Sequence, residues 1–205
     1  MKDPITIAKD FWGKSKKYPE YGTIKKRRFH ELSYLVPQLY GVQTLLDLGC
    51  GDGALISCLK RLTDIKKYYA YDYAEGLLDL VDKDIEMAVY DCYTPTELPS
   101  TDVTVFAGVL PFLFKDEEVY ALLDEINSPV LFVRTPCTLL DKDELVNTYS
   151  EKLKADYSAN YRTVKNVLRL LSARFKVERV LRSYPDEIES EFGTKQFYFK
   201  CIRKD

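Results

Sequence analysis

Thr44 to Gly53 reads T-L-L-D-L-G-C-G-D-G, an apolar run broken by one carboxylate and closed by three glycines at alternate positions. Leu45, Leu46 and Leu48 supply the continuous hydrophobic character of a parallel strand covered on both faces. Gly49, Gly51 and Gly53 let the backbone turn sharply and approach a ligand where a Cβ would collide. Beyond the loop, Leu55, Ile56, Leu59 and Leu62 recur at helical spacing, so the loop feeds a helix. Strand, glycine loop and helix form the opening unit of an open α/β sheet, and such sheets take ligands at the carboxyl ends of their strands.

The rest of the chain continues that pattern. Tyr68 to Asp72 reads as a second strand ending in an acid, and Met87 to Tyr90 as a third, followed by Asp91 and Cys92. Asp102 to Ala107 is a fourth, running into Gly108, Val109 and Leu110, and Pro129 to Arg134 a fifth. The alternating stretches Phe175 to Ser183 and Lys195 to Cys201 supply the last two. Helices are expected at Glu75 to Val81, around Val119 to Ile126, and along Tyr161, Val164, Leu168 and Leu171. Leu145, Val146, Tyr149 and Leu153 also fit a helical period, so residues 137–160 are expected to be a helical insertion over the site. Residues 1–43 read as an N-terminal helical arm. One helix is marked by Ile5, Ala8, Phe11 and Trp12, another by Phe29, Leu32, Val36 and Leu39, with Pro37 ending or bending it. Residues 44–205 are then the main domain.

The spacing of the glycines narrows the ligand. A dinucleotide fold usually shows G-x-G-x-x-G with helix-end amides on a pyrophosphate, whereas this chain has D-x-G-x-G-x-G with Asp47 just before the loop. A carboxylate repels phosphate and attracts a positively charged amino acid or sulfonium. From about Thr44 to about Arg134 the chain resembles the class I S-adenosylmethionine-dependent methyltransferases. The resemblance implies an α/β, doubly wound, mostly parallel seven-stranded sheet with helices on both faces and a C-terminal antiparallel hairpin. It further implies a donor site in which Asp47, Gly49, Cys50 and Gly51 form the loop. Asp72, with Tyr73 beside it, takes the ribose; Asp91 and Cys92 meet the adenine; Gly108 passes under the methionine moiety. N-terminal helices of this superfamily often close over the donor, which makes Arg28 a candidate partner for its carboxylate. The product would be S-adenosylhomocysteine. Asp52, immediately before the helix, reads as a cap.

Composition excludes several alternatives. At 205 residues and 46% hydrophobic content the chain suits one domain with a full core. No apolar run approaches a membrane span, and the N-terminus lacks the pattern of a secretory signal, so the cytosol is the expected compartment. Five cysteines without a C-x-x-C pair, with one histidine, argue against a zinc or iron site. Between Lys14 and Arg28 seven Lys/Arg stand against one Glu. That run reads either as a solvated helix face or as a surface for phosphate, anionic saccharide or nucleic acid.

The sulfonium of such a donor is already activated, so proximity and orientation can lower the barrier by about 7–11 kcal/mol without a general base. If a base is used, His30 is the readiest by its ordinary pKa, although a surface role on its helix is the plainer reading. Trp12, Tyr18 and Tyr21 are candidates for the wall of an acceptor pocket, and Arg134, Tyr161 and Arg162 for contacts at its rim. Gly108-Val109-Leu110-Pro111-Phe112 stands where base- and glutamine-methylating enzymes carry Asn/Asp-Pro-Pro-aromatic, which disfavours those acceptors. A small molecule bearing a hydroxyl, amine or carboxylate remains, with the tyrosine-rich, basic entrance pointing to a saccharide or phosphorylated metabolite. The alternatives are a nucleic-acid methyltransferase using the basic arm and a non-catalytic binding protein of the same fold.

Overall fold

The computed structural model describes residues 2–14, 24–150, 154–189 and 193–204. The chain opens with helices α1 (Pro4–Gly13) and α2 (Ile24–Leu35), the second ending in a 3-10 turn through Val36–Gln38. Asp3 starts α1 by accepting the amides of Ile5 and Thr6, and Pro4 sits where a missing N–H costs nothing. The core then runs β1 (Thr44–Leu48), α3 (Ala54–Leu62), β2 (Lys67–Asp72), α4 (Glu75–Leu78), β3 (Glu86–Val89), β4 (Val103–Ala107), α5 (Asp116–Glu125) and β5 (Val130–Thr138). A hairpin of β6 (Glu144–Ser150) and β7 (Ala155–Tyr161) follows, then α6 (Val164–Leu171), β8 (Phe175–Arg182) and β9 (Thr194–Arg203).

Seven strands form one sheet in the order β3-β2-β1-β4-β5-β9-β8. Strands β1 to β5 are mutually parallel, and β9 runs antiparallel to both β5 and β8. This is the doubly wound sheet with a closing antiparallel pair that the sequence predicts. Strand order reverses between β1 and β4, and that switch point opens a crevice at the carboxyl ends of the two strands. Gly49 and Gly108, which follow β1 and β4 directly, therefore face one another there.

Each face of the sheet carries its own core. Leu45, Val105 and Phe132 pack with Leu55, Ile56 and Leu59 of α3 and Leu35 of α2. On the other face, Leu46, Leu48, Phe106 and Val133 meet Val119, Leu122 and Leu123 of α5 and Val167, Leu170 and Leu171 of α6. Truncating any of these fully buried leucines to alanine costs about 2–5 kcal/mol. Alternation along β1 places Asp47 on the Leu45 face, beneath α2.

Three expectations need correction. The insertion is a β-hairpin and not helical: β6 and β7 pair from Glu144↔Tyr161 to Ser150↔Ala155, with the Ser158 hydroxyl donating to Asn147 Oδ1. Helix α4 stops at Leu78, short of Val81. Phe29, expected on the apolar face of α2, is 68% exposed. Strand β5 also runs past Arg134 through Pro136 to Thr138. It has a single neighbour there, because β4 ends opposite Arg134, and proline is tolerated on such an edge. Tyr18, Tyr21 and Leu153 lie outside the described residues.

Candidate functional site

The loop after β1 is fixed by backbone bonds to its neighbour strand. The amides of Gly49 and Cys50 both donate to the Tyr71 carbonyl, at 2.7 and 3.2 Å. Gly49 has φ +80°, and a Cβ there would stand 2.0 Å from Val109 Cγ2, so any side chain would force the β1 and β4 loops apart. Gly108, at φ +84°, leaves room for the Arg134 guanidinium, which a Cβ would approach to 3.2 Å. Asp52 accepts the Ala54 amide at 3.1 Å from one position before the α3 N-cap, which is Gly53.

The strand-end acids take distinct positions. Asp72 accepts the Gly51 amide on Oδ2 and the Ala74 amide on Oδ1, both at 2.8 Å, which locks its carboxylate across the glycine loop. Burial raises its pKa, and the Ala74 and Gly51 amides work against that rise. Asp91 accepts the Tyr93 amide at 2.9 Å and pairs with the Lys9 ammonium at 2.7 Å. Asp47 is 2% exposed, and its Oδ2 has no hydrogen-bond partner among the described residues. Burial pushes its pKa to about 7, opposed by the charges of Arg28 and Arg134 and reinforced by Asp72 and Glu31.

Asp72 and Asp91 line a cavity of about 100 Å³. Gly49, Gly51, Asp72 and Tyr73 line one side, and Asp91, Cys92 and Tyr93 the next. Gly108, Val109 and Phe112 close the third, and Lys9 and Trp12 of α1 lie over the mouth. The walls are tied together: the Tyr93 hydroxyl donates to the Phe112 carbonyl at 2.5 Å, and the Trp12 and Phe112 rings meet edge to face at 5.3 Å. Lys9 lies near two rings, 5.0 Å from the Tyr93 centroid and 5.5 Å from that of Tyr73.

The sequence-predicted residues therefore divide. Gly49, Gly51, Asp72, Tyr73, Asp91, Cys92, Gly108 and Trp12 come together in the cavity wall. Asp47 and Cys50 stand behind the loop, buried, and burial raises the Cys50 thiol well above its ordinary range. Arg28 and Arg134 converge on Glu31 of α2, at 2.7 and 3.0 Å, and the Tyr184 hydroxyl donates to the same carboxylate at 2.6 Å. Arg134 also donates to Gln196 Oε1 at 2.9 Å.

Arg162 and Tyr161 do not form a rim. Arg162 is 2% exposed, and its guanidinium donates to the carbonyls of Leu110 and Leu113, bracing the turn that carries Phe112. Tyr161 is buried against Tyr157, with their hydroxyls 3.0 Å apart. His30 lies outside the cavity, in a groove with Pro185 and Ile188.

Lys9, Tyr93, Phe112 and Glu31 are not marked as site residues by the sequence reading above. Lys9 and Trp12 are three residues apart and share a helix face, a signal available in the sequence. Glu31 gave none, because a lone acid in a basic helix reads as solvated.

The resulting arrangement has known counterparts. No family model matches the chain. Malonyl-[acyl-carrier protein] O-methyltransferase from Brevibacillus brevis is 26% identical over 83 residues, a stretch covering 39% of this chain and 30% of that protein. Magnesium protoporphyrin IX methyltransferase from Synechocystis, solved with S-adenosylmethionine bound, aligns over 100% of this chain and 99% of its own, with TM-score 0.65 and 13% identity. The N-methyltransferase NodS from Bradyrhizobium japonicum, in complex with S-adenosylhomocysteine, aligns over 99% of this chain and 100% of its own, with TM-score 0.65 and 12% identity. A methyltransferase from Leishmania major that depends on S-adenosylmethionine reaches TM-score 0.70 at 13% identity, over 96% of this chain and 82% of its own. The order of the seven strands and the closing antiparallel pair are thus those of the Rossmann-like fold that these methyltransferases share.

Proposed function

We propose that the protein is a methyltransferase that binds S-adenosylmethionine in the cavity at the β1/β4 switch point and transfers its methyl group to a small-molecule acceptor. The observation that carries this reading is Asp47: a buried carboxylate oxygen without a partner, directly behind the glycine loop, suits a ligand that brings positive charge. A phosphate-bearing dinucleotide would meet repulsion from the same group. The fit extends to the neighbouring strands. Asp72 keeps lone pairs for a pair of ribose hydroxyls after accepting its two amides. Tyr73, Tyr93 and Cys92 offer the flat, apolar setting that suits a purine, with Asp91 at its edge. Arg28, held by Glu31 near Asp47, is the proposed partner of the donor carboxylate.

The bound donor supplies an electrophilic methyl on sulfur. The chain's own part is to position and to exclude water. Trp12 and Phe112 cover the cavity from α1 and from the turn after β4, a wall suited to an acceptor of modest size with an apolar surface. Among the described residues no histidine reaches the cavity, which supports transfer by alignment without a dedicated base.

The direct test is transfer of a labelled methyl from S-adenosylmethionine across a panel of hydroxyl, amine and carboxylate acceptors, with Asp72→Ala as control. Labelling that disappears in Asp72→Ala supports the reading. Tight donor binding without transfer to any acceptor would favour a non-catalytic protein of this fold.

A further inference from the structure

We propose that the groove between α2 and the Pro185–Ile188 turn is a second binding site, for a phosphorylated aromatic group of the nucleotide kind. It is independent of the methyl-transfer reading. The groove holds about 440 Å³ and is lined by Lys25, Lys26, Phe29 and His30 on one side and Pro185, Glu187 and Ile188 on the other. That volume lies within the range of about 300–1,000 Å³ found for small-ligand sites.

The basic run divides within one turn of helix. Arg27 and Arg28 face inward: Arg27 Nε donates to the Ile188 carbonyl at 2.8 Å with its guanidinium over the Tyr184 ring, and Arg28 pairs with Glu31. Lys25 and Lys26 stay exposed and have no ion pair among the described residues. Phe29 follows three and four positions on, its ring 68% exposed and edge to face with His30. Residues at this spacing share a helix face, so two ammonium groups and an open aromatic face stand side by side. Arg27 ties the two walls together, so the groove exists before any ligand arrives.

The chemistry follows from those groups. A phosphate monoester carries a charge of about −1.5 to −2 and offers three acceptor oxygens, which suits two ammonium donors better than a single carboxylate would. An exposed phenyl face accepts a planar base by stacking, a contact indifferent to base identity. Among the described residues Glu187 is the one acid in the lining, against the two lysines. The same nucleotide chemistry is presented by a free nucleotide and by a nucleotide within a single strand of nucleic acid.

The test is a titration followed by amide NMR shifts, using uridine 5′-monophosphate, which has no adenine to draw it into the first cavity. Saturable shifts are expected at residues 25–30 and 185–188. Uridine without phosphate and the Lys25→Glu/Lys26→Glu double variant should each bind about tenfold more weakly, and Phe29→Ala about three- to tenfold. All three substituted side chains are exposed, so the variants should keep the wild-type melting temperature. An oligouridylate arm separates the two sources. Tighter binding than the monophosphate, with a steep loss in salt, identifies a strand; equal affinity identifies the free nucleotide. Shifts confined to residues 49–51, 72–73 and 91–93, no saturable shift, or unchanged binding by the double lysine variant would overturn the proposal.

Discussion

Asp47 ties local electrostatics to ligand choice. The folded protein holds its proton up to about pH 7, whereas the unfolded chain releases it near the ordinary 3.8. The folded pKa is raised, so this carboxyl contributes stability in its protonated form, and that contribution is lost as pH climbs from 3.8 through 7. A donor with an ammonium group prefers the ionised form. Affinity for S-adenosylhomocysteine should therefore rise between about pH 6 and about pH 8, with proton release on binding near pH 6.5. Calorimetry in two buffers of different ionisation enthalpy measures this, and Asp47→Asn should both weaken and flatten the profile. A pH-independent wild type would contradict the role. Arg162 makes the opposite case, a charged residue whose position in sequence suggested substrate but whose guanidinium braces the Leu110–Leu113 turn. Arg162→Met should lower unfolding stability by about 2–4 kcal/mol in urea titration, since it strands buried carbonyls. A change below about 0.5 kcal/mol, usual for surface substitutions, would show the bonds to be unimportant.

At the level of elements, α1 is the part that most directly governs the cavity. The cavity volume is about 100 Å³, well below the ~300–1,000 Å³ of ordinary ligand pockets, and Lys9 and Trp12 of α1 are part of its wall. Lys9 engages Asp91, the carboxylate proposed to meet the adenine, so donor and Lys9 compete for one group. Lys9→Met should raise S-adenosylhomocysteine affinity about two- to fivefold, the scale of a partly exposed ion pair. Weaker binding by this variant would mean that Lys9 contacts the donor itself. The hairpin beside α1 shows where sequence reading runs out. Leu145, Val146 and Tyr149 satisfy a helical period, but β6 also carries the strand formers Val146, Thr148 and Tyr149, and β7 carries Tyr157 and Tyr161. β6 carries no buried residue, and in β7 the buried Ser158 and Ala159 are neighbours, so neither shows a clean apolar-polar alternation. Strands β1 and β4 are legible because each is a buried run followed directly by a glycine at the switch point. Phe29 departs from the same kind of rule: an apolar residue on a helix reads as core, whereas here it borders a surface groove.

For the molecule as a whole, sheet order determines which residues meet. Asp47, Asp72 and Asp91 are scattered over 45 positions of sequence, yet the order β3-β2-β1-β4 aligns their strand ends along one edge of the sheet. The fold was readable from that series of strand ends, whereas the contacts of α1, α2 and the hairpin depend on tertiary packing that no short motif encodes. Glu31 is the clearest instance: it gathers Arg28, Arg134 and Tyr184 from three separate parts of the chain. Among the described residues no helix is long and apolar enough to cross a membrane, and no cluster of His, Cys, Asp and Glu is placed to hold a metal ion. The central claim is that the switch-point cavity takes an adenosyl donor, and calorimetric titration of the folded protein with S-adenosylhomocysteine tests it most directly. The account predicts saturable one-to-one binding that weakens at least about a hundredfold in Asp72→Ala, as expected when a partly buried carboxylate loses its hydrogen bonds to ligand and loop. Absence of binding by folded wild-type protein, or equal affinity in Asp72→Ala, would contradict it.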